Sequence, residues 1–216
     1  MSVVKSKREN RKTGTSISDE RLWEAFAAGE DSAYTLLYFR YADRLYAYLK
    51  LVLASGPDRH MIDDVFQDTW MRIYRERERF QIKGQGTFAG WLFRIAHNFA
   101  ISLFRRPHNM TSLQELGDEN KLLEEASANA YEPLIDAKSA EEVLGLLQET
   151  VDGLPVMLKE VYVLSELEQF SMDKLAETLG ISKANAKVRL FRARKLVRAR
   201  LLDALGMVDT HDGDDE

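Results

Sequence analysis

A chain of 216 residues with 30 Lys and Arg against 35 Asp and Glu carries a net charge of −5 and is 45% hydrophobic, with no cysteine. That is enough apolar material for one large or two small cores, and it excludes disulfide frameworks and thiolate metal sites. The basic residues Lys5, Lys7, Arg8, Arg11 and Lys12 lead into no apolar stretch, and no apolar run reaches the roughly 20 residues of a membrane span, so neither secretion nor membrane insertion is expected and the expected compartment is the cytoplasm.

Apolar residues recur at spacings of three and four, with only 4 prolines to interrupt them, which predicts an all-α protein. Residues 1–17 are polar and basic and read as a mobile tail. A first domain is expected over 18–107. Leu22 and Phe26, then Leu37, Tyr41, Leu45, Tyr48, Leu49 and Val52 mark the inward faces of two helices, the second ended by Gly56 and Pro57. A third helix is predicted over 61–79, with Ile62, Val65, Phe66, Thr69, Trp70 and Ile73 inward and Asp63, Asp64, Gln67 and Asp68 outward. After a loop at Gly84–Gly86, Thr87 caps a fourth helix running to Arg106. Its expected inward stripe is Phe88, Trp91, Leu92, Ile95, Phe99 and Leu103, which leaves Arg94, His97, Asn98, Arg105 and Arg106 outside it. Such a row of cations and amides is suited to holding a single DNA strand.

Residues 108–138 are acidic and weakly periodic and read as a flexible linker. A second domain is expected over 139–205, followed by an acidic tail over 206–216. Within it Ser171–Arg194, SMDKLAETLGISKANAKVRLFRAR, has the features of a helix-turn-helix. Leu175, Ala176 and Leu179 give the first helix its buried face, Gly180 supplies the tight turn, and Ser182 caps the second helix. The core stripe of that helix is Ala186, Leu190, Ala193, Val197 and Leu201. Lys183, Asn185, Lys187, Val188, Phe191, Arg192 and Lys195 are expected on the opposite, outward face, with Arg194 adding to the basic character. This mixture suits phosphate, base-edge and thymine-methyl contacts. From Lys183 to Arg200 there are basic residues and no acidic one, so the modest overall charge conceals a strongly segregated one.

Two other readings compete. Asp63, Asp64 and Asp68 have helical spacing that could hold a divalent metal, but no Glu or His completes the set on that helix, and His60, His97, His108 and His211 are scattered. No catalytic residue, metal or cofactor is therefore expected. A conventional helix-turn-helix regulator would need a sensing pocket or a self-complementary apolar face between residues 62 and 106, and the sequence discloses neither.

Three stretches, IDDVFQDTWMRIYR (Ile62–Arg75), TFAGWLFRIAHNFAISLFRR (Thr87–Arg106) and the segment Gly153–Arg198, resemble in order the motifs of bacterial sigma factors of the extracytoplasmic function type, in the sigma-seventy family. The resemblance spans about residues 19–202. It implies that Asp63, Asp64, Gln67 and Asp68 face core RNA polymerase. It places Asn98 and its basic neighbours against the melted minus-ten strand, and Lys187, Val188, Phe191 and Arg192 in the major groove of the minus-thirty-five element. It also implies an anti-sigma factor as a further partner. Ala184, Asn185 and Ala186 depart from the family's usual Gly-Thr-Val, and His97 stands where Arg is commoner, departures that bear on which promoter is read.

Overall fold

The computed structural model describes residues 17–53, 59–81, 87–104 and 140–205. The two tails, the linker, the Gly56–Pro57 and Gly84–Gly86 turns, and Arg105 and Arg106 lie outside the described residues. Every regular element among the described residues is helical: α1 (Asp19–Ala27), α2 (Asp31–Leu53), α3 (Ile62–Arg75), α4 (Thr87–Phe104), α5 (Ala140–Asp152), α6 (Val156–Tyr162), α7 (Met172–Leu179) and α8 (Lys183–Ala204), with a 3-10 turn at Arg59–Met61 and a π-helical turn at Val163–Leu167.

The first helix starts where Ser18 Oγ accepts the Arg21 amide at 3.3 Å, with Asp19 and Glu20 in its first turn opposing the helix dipole. It contributes the aromatic hub of the N-terminal half. Trp23 meets Phe26, Phe80 and Trp91 edge-on at 5.2–5.4 Å, and its Nε1 donates to the Phe80 carbonyl at 3.0 Å. Phe80 in turn stacks on Trp91 at 3.7 Å. Burying rings of this size is the largest single apolar gain available to a small domain.

The third helix ends at Arg75, and the predicted extension to Arg79 is a turn. Residues 75–79, RERER, offer no apolar side chain to the core, so continuing the helix gains no burial. The chain instead closes with the Glu76 amide bonded back to Arg72 and Ile73.

On α4 the buried residues are Phe88, Ala89, Leu92, Phe93, Ala96, Ala100 and Leu103, while Trp91, Ile95 and Phe99 are only partly covered. The single expected stripe is thus corrected to two adjoining rows. One row faces α1, α2 and α3. The other side of the helix meets α7, with Thr178 Oγ1 donating to the Gly90 carbonyl at 3.5 Å and Phe93 edge-on to Phe170 at 5.6 Å. A periodicity argument that assumes one buried face misses a helix covered from both sides.

In the C-terminal half, Pro155 opens α6, which runs into the π-helical turn before Glu168. Lys159 is fully buried, its Nζ donating to the Asp152 carbonyl at 2.8 Å, and burial holds its ammonium below the usual lysine range against the opposing pull of Asp152. Helix α7 is bracketed by left-handed residues, Gln169 (φ 55°) before it and Gly180 (φ 66°) after it. Ser171 Oγ caps it by accepting the Lys174 amide, and Ile181 N–H returns to the Ala176 carbonyl at 3.0 Å.

The two left-handed positions make opposite predictions. Gln169→Gly is expected to stabilise the protein by about 1 kcal/mol and Gly180→Ala to destabilise it by about 1 kcal/mol, because a Cβ is penalised in this region and glycine's is absent. Urea denaturation of both variants checks the signs.

Candidate polymerase and nucleic-acid interfaces

Asp63, Asp64, Gln67 and Asp68 all lie exposed on one side of α3. Asp63 with Gln67 and Asp64 with Asp68 are pairs four apart, each aligned along the helix surface, while Val65, Thr69, Trp70 and Ile73 anchor the other face in the core. Tyr46 Oη of α2 donates to Asp63 Oδ1 at 3.0 Å, tying this acidic edge to the neighbouring helix. Among the described residues no group of His, Asp or Glu is arranged to hold a metal ion.

Beside the acidic edge runs an aromatic groove of about 410 Å³ between α2 and α3, walled by Tyr34, Tyr38, Phe66, Trp70, Met71 and Tyr74. Phe39 is 72% exposed and Leu36 51% exposed on α2, so the apolar character continues past the groove, as at surfaces built for contact. The buried Trp70 Nε1 has no hydrogen-bond partner among the described residues. Tyr34 Oη donates to the Trp70 carbonyl at 3.1 Å, and burial first, then Tyr38 and Tyr74, pushes its pKa up to about 12. The sequence signal for this groove was an apolar set on α2 offset from the core stripe, at positions 34, 38 and 39.

The nucleic-acid candidates divide. Arg94 and Asn98 are exposed on α4, whereas His97 is partly buried, with Nδ1 at 2.7 Å from Glu160 Oε1 of α6. A position read as outward is turned inward because the second domain covers that flank.

On α8, Ser182 Oγ accepts the Asn185 amide at 3.1 Å, the expected cap. Lys183, Lys187, Arg194 and Lys195 are exposed, and Asn185, Phe191 and Arg192 are partly covered. Val188 is buried at 4% exposure, which corrects its outward placement. Periodicity fixes only the angle of a side chain to the helix's own core; whether the far side stays open depends on the rest of the chain. Lys183 pairs with Asp173 at 2.8 Å and Arg194 with Glu166 at 2.6 Å, so both span from α8 to the preceding elements. Such exposed pairs contribute little stability and exchange readily for phosphate.

An acidic and aromatic surface on the first half, and a capped helix-turn-helix with a basic second helix on the other, have the character of a two-part helical DNA-binding protein. The Sigma-70 region 2 family model matches residues 37–109 and the Sigma-70 region 4 model matches residues 144–197. An ECF RNA polymerase sigma-E factor of Haemophilus influenzae is 29% identical over 192 residues, covering 86% of this chain and 96% of that protein. The sigma-E factor of Escherichia coli is 26% identical, covering 84% and 93%. Among solved structures, CnrH in complex with the cytosolic domain of CnrY is 25% identical with a TM-score of 0.58, covering 86% and 97%. The fold is also shared with RpoE of Bartonella quintana, at 19% identity and a TM-score of 0.53.

The chain belongs to the sigma-70 family, within its extracytoplasmic function group. It is a promoter-recognising, non-enzymatic initiation factor for RNA polymerase, and the conventional-regulator reading falls away. No helix among the described residues is long and apolar enough to cross a membrane.

Tyr34 allows a test of the groove's burial. Its folded pKa lies above its unfolded value of 10.0, so its contribution to stability is whole below pH 10 and is lost as pH climbs towards about 12. Denaturation curves over this range are expected to fall more steeply for the wild type than for Tyr34→Phe.

Proposed function

We propose that three surfaces divide the work of initiation. The acidic edge Asp63, Asp64, Gln67 and Asp68, with the adjoining aromatic groove, docks core RNA polymerase. Arg94, His97 and Asn98, with Arg105 and Arg106 beyond the described residues, hold the melted minus-ten strand. Lys183, Asn185, Lys187, Phe191, Arg192 and Arg194 form the minus-thirty-five surface. The observation that carries this division is the segregation of charge on the fold: exposed acids on α3 and an acid-free α8 up to Asp203. The functional units follow the boundaries read from the sequence, 18–107 and 139–205. The protein works in the cytoplasm, where polymerase and promoter are, and an anti-sigma factor is its regulatory partner.

The first experiment is transcription of fragmented genomic DNA by core polymerase with and without the protein, with start sites mapped by sequencing. New starts sharing two spaced upstream elements are expected, and none despite active core overturns the reading. Arg192→Ala is expected to lower promoter-specific initiation while core binding survives, by about 1–3 kcal/mol for a lost base-edge contact. The double change Asp64→Arg with Asp68→Arg does the reverse: core assembly, followed by gel filtration, is lost while the isolated protein remains folded.

A further inference from the structure

The stretch from Pro155 to Phe170 carries three glutamates that go different ways. Glu160 is buried, with Tyr48 Oη donating to it at 2.9 Å and His97 Nδ1 at 2.7 Å. Glu168 pairs with Arg44 of α2. Glu166 instead meets Arg194 of α8. Residues two apart on a helix do not face the same way, and here the helix also changes pitch. Helix α6 gives way to the π-helical turn Val163–Leu167, in which the Glu168 amide returns five residues to the Val163 carbonyl at 3.1 Å. Val163 and Leu164 are buried and fix this turn in the core, and Gln169, in the left-handed region, follows it. Such turns are rare and concentrate at functional sites.

The contact between Glu166 and Arg194 is side-on. Arg194 Nε donates to Glu166 Oε1 at 3.1 Å and Nη2 donates to the same oxygen at 2.6 Å. Ser165 Oγ donates to that oxygen as well, at 3.2 Å. A guanidinium carries five N–H donors in one plane and so has more than one edge to offer. Glu166 takes the Nε edge, and Nη1 has no partner among the described residues. Lys183 is different. Its ammonium meets both oxygens of Asp173, at 2.8 and 3.0 Å, and the Asp173 side chain is 77% exposed against 32% for Glu166. An ammonium is one point of charge and gives up its acid to take a phosphate, whereas a guanidinium can hold an anion on each edge. Lys183, Lys187 and Arg194, spaced by four and seven, lie along one flank of α8, a row about 16 Å long at 1.5 Å per residue.

We infer that Glu166 is a positioning residue for Arg194: from the π-helical turn it holds the guanidinium by one edge on the flank of α8 and leaves the other edge to a promoter phosphate. An unheld arginine loses rotamer freedom on binding, and one already held loses less, so the pair raises affinity. The Glu166 carboxylate also repels the phosphate, but salt screens that repulsion, and the sign of the Glu166→Ala effect decides between the two. A phosphate contact carries no sequence information. It fixes the register in which Phe191 and Arg192 meet the bases. This role rests on the minus-thirty-five reading of α8 above, and one of its two measurements uses no DNA.

The first measurement follows the Nε–H resonance of Arg194 in the whole free chain by nitrogen-15 NMR, assigned with Arg194→Lys. It is expected to stand apart from the other arginines and to exchange slowly in the wild type and in Glu166→Gln, whose amide oxygen still accepts, and to merge with them in Glu166→Ala. The second uses holoenzyme reconstituted with core polymerase, on a promoter duplex recovered by start-site mapping. Glu166→Ala is expected to weaken binding roughly fivefold and Glu166→Gln by less, and adding Arg194→Ala to Glu166→Ala costs little more, as for coupled residues. Arg194→Ala is expected to flatten the slope of log affinity on log salt by about 0.9, the value of one phosphate. Glu166→Ala binding as tightly as the wild type or tighter, or a double variant whose losses add, overturns the role of Glu166. A wild-type Nε–H signal no different from the other arginines overturns it without DNA. A slope unchanged by Arg194→Ala, beside a distinct wild-type signal, places the failure in the minus-thirty-five reading and not in the positioning. Should Glu166→Ala fail to fold, Arg194→Lys carries the test: lysine keeps the charge but has no second edge, and wild-type affinity in that variant overturns the inference.

Discussion

Helix α4 is the shared wall of the molecule. Its 18 residues bury Phe88, Leu92 and Leu103 in the core and turn Gly90, Phe93 and His97 towards the second domain, leaving a narrow polar edge at Arg94 and Asn98. A helix apolar on two sides has to be covered on two sides. That requirement draws α7 against α4 and so sets the position of the helix-turn-helix relative to the rest. Phe93 lies at the crossing, edge-on to Tyr48 of the first domain at 5.3 Å and to Phe170 of the second at 5.6 Å.

Polar groups inside this joint give it specificity more than strength. An apolar joint alone slides, since dispersion and burial have no preferred register. Glu160, Tyr48 and His97 have one arrangement that satisfies all three, and separating them exposes each to water at small net cost, because folding exchanges protein bonds for water bonds of similar strength. The fully buried Lys159, one residue earlier, faces the opposite problem: its ammonium is held on the Asp152 carbonyl and stays within its own domain.

Electrostatics sorts the surfaces. The net charge of −5 describes none of them. The exposed acids of α3 and the cations of α8 would neutralise each other if brought to one face, and here they lie on different helices in different halves. An anionic surface does not approach phosphates, so the acidic edge is left for protein contact, while α8 offers cations whose present partners, Asp173 and Glu166, are acids that a phosphate can displace or join. The aromatic groove beside the acidic edge adds the apolar area that charge alone lacks for a stable interface.

Much of this is written locally. The caps at Ser18, Ser171 and Ser182, the glycine turn at Gly180, the core stripes of α2 and α8 and the outward acids of α3 depend on neighbours a few residues away, and one sequence is enough to read them. The family's motifs carried the function for the same reason. What depended on contacts between distant segments was not legible. The second apolar row of α4, the inward turn of His97, the burial of Val188 and the groove between α2 and α3 each arise where segments far apart in the chain meet; Glu160 lies 63 residues from His97 and 112 from Tyr48. Periodicity says which side of a helix faces its own core, and only the tertiary structure decides what covers the other side.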